Sequence, residues 1–182
     1  GCGLAGRTFL NRPEASDIQG ACGPICPLEL LFNTPTICTQ DRRCVLGEIV
    51  EGEVVLSPAG LVVEEEWQRT ATIREHVSLD EFVIMPNHLH GIVVFTGGAE
   101  KTSHRDVSTK ANLKPDSLGS IMGQFKSVCT KRIRGSRFGP FDWQGRFYEH
   151  IIRDESSLGT IRQYIVDNPA KWELDADIPK NF

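Results

Sequence analysis

The chain has 182 residues, about one domain's length, of which 40% are hydrophobic and 24% charged, and its formal net charge is −4. No run approaches the ~18 apolar residues a membrane-spanning helix needs, and no basic-then-apolar segment opens the sequence. Membrane, collagen-like and wholly disordered classes are excluded, and a cytoplasmic protein with reduced thiols is expected. The charge is unevenly spread: residues 1–95 carry 6 basic and 13 acidic side chains, whereas 101–153 carry 11 basic and 4 acidic. A polyanionic partner would use that second stretch.

Residues 1–35 are rich in Gly and Pro and show no period, so an irregular N-terminal segment is expected there, with a domain over 36–182. Cys22 and Cys26 have no downstream Cys/His pair at zinc spacing, so no zinc site is expected at them. Thr36 to Thr39 reads as a short strand. Cys44 to Leu56 reads as a hairpin around Glu51-Gly52. Ser57-Pro58 opens a helix as cap and first helical residue. In it Val63, Trp67 and Ala71 recur every four residues, while Glu64, Glu65 and Glu66 are expected to face water. Leu79 to Met85 and Leu89 to Phe95 are strands around the Pro86-Asn87 turn.

Residues 96–117 lack apolar period and read as a linker or long loop. Leu118 to Arg134 is an amphipathic helix with Leu118, Ile121, Met122, Phe125 and Cys129 as its stripe and a basic C-terminal half. Phe147 to Ile152 is a strand, and Ser156 or Ser157 is expected to cap a last helix ending before Pro169. This order predicts an α+β fold with antiparallel strands and the helices on one face.

Two constellations carry chemistry. In His88-Leu89-His90, strand alternation turns both imidazoles to one face, ~6–7 Å apart, with Leu89 inward. Such a pair can converge on one divalent ion, or it can be two surface histidines. On the last helix Tyr164 and Asn168 stand four residues apart and share a face. Asn168 can add an oxygen ligand, and Tyr164 would then hold its hydroxyl beside the metal as a nucleophile. Tyr148, on the same strand face as His150, is the other tyrosine and a rival nucleophile.

The stretch from Asp80 through His88-Leu-His-Gly to Val94, then Trp143-Gln144 with Phe147 to Arg153, then Ile161 to Trp172, resembles the single-tyrosine HUH transposases. Within them the REP-associated tyrosine transposases and their insertion-sequence relatives are the most similar branch. The resemblance covers about Thr36 to Leu174. It implies a ferredoxin-like sheet, and a Mg or Mn ion held by His88, His90 and Asn168. It also implies that Tyr164 attacks single-stranded DNA at hairpins to leave a 5′-phosphotyrosine and a free 3′-hydroxyl. No nucleotide cofactor is needed, and no Walker-type loop is present.

The same resemblance makes Lys126, Lys131, Arg132 and Arg134 a phosphate-contacting face, with Arg146 and Arg153 added. It puts Tyr164 ahead of Tyr148 as nucleophile, matches His150 to a motif without giving it a role, and leaves monomer and homodimer both open. Family members carry a full apolar first strand. Here the lead-in Phe32-Asn33-Thr34-Pro35 contains a proline, so that strand is expected to be cut to a few residues. The alternative function is a catalytically inactive or domesticated DNA-hairpin-binding protein. A small-molecule metalloenzyme is disfavoured because no third strong ligand lies near His88.

Overall fold

A computed structural model describes residues 30–96, 116–136 and 138–174. The expectations for residues 1–29, including Cys22 and Cys26, and for most of the 96–117 linker fall outside these. The strands are β1 (Leu31–Cys38), β2 (Gly47–Val50), β3 (Glu53–Leu56), β4 (Val77–Ile84), β5 (His88–Phe95) and β6 (Tyr148–Ile152). The helices are α1 (Pro58–Thr72), α2 (Leu118–Gly135) and α3 (Glu155–Asp167), followed by a 3₁₀ segment, Pro169–Leu174. The main sheet is antiparallel in the order β4-β5-β1-β6, and β2 and β3 pair separately. Without that inserted hairpin, the chain order strand, helix, two strands, helix, strand on this sheet is the ferredoxin-like arrangement. Among the described residues no helix is long and apolar enough to cross a membrane.

Local chemistry explains the elements. The hairpin turns at Glu51 and Gly52, both at positive φ (53° and 80°), the pair of left-handed residues a two-residue turn needs to match strand twist. Ser57 caps α1 by accepting from the Gly60 N–H at 3.1 Å, with Pro58 at the first helical position. Strand β5 is buried along its whole length, and alternation splits it. Leu89, Val93 and Phe95 join Trp67, Ile121, Met122 and Phe125 in one core under α1 and α2, while Ile92 and Val94 meet Leu158 and Ile165 of α3 in another. Gly91 lies between, under the Trp67 indole, and a Cβ there would come within 2.4 Å of the ring.

Four expectations are corrected. The helices do not share one face: α1 and α2 do, but α3 covers the other. A sheet with apolar residues alternating to both sides must bury both. The first strand is not cut short. It runs from Leu31 through Pro35 as a central strand, and its ladder with β5 is interrupted at Thr34 and Pro35 and resumes at Thr36, opposite His90. The missing proline N–H falls in that interruption. Glu66 does not face water: it is buried against Arg132 of α2, whose guanidinium also bonds Glu65 at 2.7 Å. Asp154, not a serine, caps α3, its carboxylate accepting from the Ser157 N–H at 2.8 Å.

Replacing Gly91 by Val should drive a branched side chain into a fully buried indole. Overpacking of this kind costs about 1–3 kcal/mol, and urea unfolding should show that loss with the slope unchanged.

Candidate active site

The β4–β5 turn sets the site. Its Asn87 backbone carbonyl accepts from the Thr39 N–H and hydroxyl, both at 2.9 Å, which ties the start of β5 to the end of β1. His88 follows, 1% exposed, then Leu89 in the core, then His90. The two imidazole rings stand edge to face with centroids 4.4 Å apart, so the shared face expected from strand alternation is what the fold provides. His88 Nδ1 lies 2.6 Å from Asn87 Oδ1. A carboxamide oxygen only accepts, so Nδ1 carries the proton and Nε2 presents a lone pair. That Nε2 is buried with no hydrogen-bond partner. His90 Nδ1 lies 2.8 Å from Thr36 Oγ1, the residue opposite it on β1. Burial, then the charges of His90 and Arg42, pushes the His88 pKa down to about 3, so it is a neutral imidazole at pH 7.

Helix α3 brings the other groups from about seventy residues away in sequence. Arg162 grips the Asp80 carboxylate of β4 through Nε at 3.0 Å and through Nη2. Leu158 and Ile165 pack beneath. The Tyr164 ring, 49% exposed, then stands 5.6 Å from that of His90. One turn past the helix, Trp172 of the 3₁₀ segment stands 6.2 Å from His88. Asn168, between Tyr164 and Trp172 in sequence, is the C-cap of α3. It is 5% exposed, and its Oδ1 is buried without a partner. Tyr148 shares the site's face, since it pairs with Thr36, but sits two strands from His90. His150 sits opposite Thr34 on the same face.

These residues fit a divalent ion by two observations: unpartnered buried acceptor atoms on His88 and Asn168, and a Nδ1 contact on His88 that leaves its Nε2 as the coordinating nitrogen, beside the His90 ring. The donor set is two imidazoles and one carboxamide, and among the described residues no cluster of three His, Cys, Asp or Glu occurs.

The six basic residues do not converge here. Lys126 donates to the Gln144 and Arg146 carbonyls at 2.8 and 2.9 Å, Arg132 binds Glu65 and Glu66, and Arg134 binds the Phe141 carbonyl and Asp142. These three hold α2 to its neighbours. Lys131, Arg146 and Arg153 are exposed. A groove of about 450 Å³ between α2 and residues 142–145 is lined by Lys126, Lys131, Arg134 and Trp143, along the helix that packs on the sheet face away from the imidazoles. Sequence reasoning missed Asn87, Thr36 and the Arg162–Asp80 pair. Trp172 did have a signal, standing four residues beyond Asn168 and eight beyond Tyr164.

No family model matches the chain. Its fold is that of a solved REP-associated tyrosine transposase bound to a REP hairpin: TM-score 0.53 and 17% identity, over 83% of this chain and 74% of that one. An uncharacterized protein of Haemophilus influenzae is 37% identical over 146 residues, which is 77% of this chain and 81% of that protein. The chain belongs to the family of that Haemophilus protein.

Two outcomes follow from this geometry. Replacing Arg162 by Lys removes a two-pronged hydrogen bond to a partly buried carboxylate, a contact of about 1.5–3 kcal/mol. Amide exchange over Tyr164 to Asn168 should rise at least tenfold while that of α1 stays unchanged. For His88, the folded pKa lies below the unfolded one, so its contribution is present above about pH 6.5 and is lost as pH falls toward 3. The thermal midpoint of metal-free protein should therefore fall between pH 7 and 5, and less so in His88→Asn.

Proposed function

We propose that the chain is a single-stranded DNA transposase/endonuclease that nicks and transfers strands at DNA hairpins through Tyr164. The observation that carries this reading is the Tyr164 ring set against His90, beside an imidazole and a carboxamide whose acceptor atoms are buried and unpartnered. The likeness of fold to a transposase bound to a REP hairpin supports a DNA hairpin as substrate.

In this reading the phenol oxygen of Tyr164 forms a bond to phosphorus, the bond from phosphorus to the 3′-oxygen breaks, and the proton lost by the phenol is balanced by the one the departing 3′-oxygen takes up from water. The products are a 5′-phosphotyrosine and a 3′-hydroxyl. The ester conserves the bond energy, so rejoining reverses the step without a nucleotide cofactor. His88, His90 and Asn168 would hold a Mg or Mn ion, which supplies positive charge to the phosphate oxygens when bound. Asn87 and Thr36 orient the two imidazoles. Arg162 and Asp80 hold the nucleophile helix in register. The half-exposed phenol is reachable by a DNA strand, as an incoming phosphate requires. Lys131, Arg146 and Arg153 provide exposed positive charge for the backbone, in one subunit or as a homodimer.

The test is incubation of the full chain with hairpin-bearing single-stranded DNA and Mn, followed by a denaturing gel. A covalent protein–DNA adduct is expected, lost in Tyr164→Phe, retained in Tyr148→Phe, and abolished by chelator. Hairpin binding with no adduct under any metal would instead favour a binding protein without catalysis.

A further inference from the structure

Helix α3 covers only part of its sheet face. It packs chiefly on β4, over a core that also takes Ile92 and Val94 of β5, Phe32 of β1 and Ile152 of β6, and beyond that core the same face continues as Thr36 and Thr34 of β1, then Tyr148 and His150 of β6. Cross-strand register fixes this, because Thr36 pairs with His90 on one side and Tyr148 on the other, and Thr34 pairs with His150. Tyr148 therefore lies two strands from His90, about 10 Å across the ladder. Its ring is 69% exposed and His150 is exposed beside it. Among the described residues neither side chain makes a hydrogen bond, ion pair or ring contact. Arg146 and Arg153, both exposed, flank β6 at its two ends.

A bare aromatic ring with an imidazole beside it, flanked by cations and continuous with the candidate site, has the composition that holds single-stranded nucleic acid. Rings take the bases and guanidinium groups take the phosphates. A double-stranded stem would offer no free base face to such a surface. We propose that the Tyr148–His150 face of β6 is a stacking platform for unpaired nucleobases of the strand whose phosphate reaches Tyr164. This deepens the proposed function and rests on it for the identity of the ligand. It also gives Tyr148 a role other than nucleophile: it holds the strand beside the site.

The experiment uses the full chain in chelator, so that no cleavage intervenes. Fluorescence anisotropy compares a labelled ten-nucleotide oligothymidylate with an abasic oligomer of equal length, which keeps the phosphates and lacks the bases. The wild type should bind the thymidylate about tenfold more tightly. Tyr148→Ala should lose most of that preference while its affinity for the abasic oligomer stays the same, and Tyr148→Phe should keep it because the ring stacks. The proposal is overturned if Tyr148→Ala retains the preference, or if the wild type binds neither oligomer or both equally. Adduct formation at Tyr164 is a separate readout. Base preference without any adduct would sink the proposed chemistry and leave the platform, and an adduct without base preference would do the reverse.

Discussion

The site depends on how one helix is seated. Helix α3 lies on β4 and β5 because Leu158 and Ile165 bury against Ile92 and Val94, and Arg162 fastens it to Asp80 at both a nitrogen of the fork and its base. Apolar burial alone would tolerate rotation or sliding of a short helix, since it has no direction. The planar fork does not, because both donors must meet both oxygens. With rotation fixed, Tyr164 falls on His90, Asn168 is buried at the helix cap, and Trp172 falls on His88. The same strand is pinned from below by Trp67 over Gly91. The imidazoles thus sit on a strand packed from both sides, with little freedom to move away from the phenol.

Polarity at the site is deliberate in its placement and costly in its burial. An imidazole nitrogen and a carboxamide oxygen without partners each forfeit hydrogen bonding to water, a loss of about 1–3 kcal/mol apiece. In the proposed function a divalent ion would meet both atoms, because two imidazoles and an oxygen donor suit one. Charge tells a related story. The chain is net negative, yet that sum hides where its cations are used. Arg132, Arg134 and Lys126 serve inside the fold as links between α2 and its neighbours, and the exposed cations that remain include two at the ends of β6.

Much of the architecture was legible from residue pattern. Alternation and turn chemistry gave the hairpin, both central strands and the three helices, because each is driven by local periodicity. The face shared by His88 and His90 followed from strand geometry alone. That Tyr164 meets this face was open to the sequence only as one chemical possibility, made specific by family resemblance, since no local rule relates residues so far apart. What misled was a local rule overridden by tertiary context. Pro35 signalled a broken strand, but an interrupted ladder accommodates it. Glu66 read as solvated because the Arg132 that receives it lies on another helix. The side on which α3 packs, and the Arg162–Asp80 grip, are likewise products of assembly.

The central claim is that His88, His90 and Asn168 form one metal centre within reach of the Tyr164 phenol. Crystals grown with manganese test it most directly, through the anomalous signal of the metal. The account predicts a single strong peak in contact with Nε2 of both histidines and Oδ1 of Asn168, beside the Tyr164 hydroxyl. A peak bound elsewhere, or a well-ordered site that stays empty at saturating manganese, would contradict it.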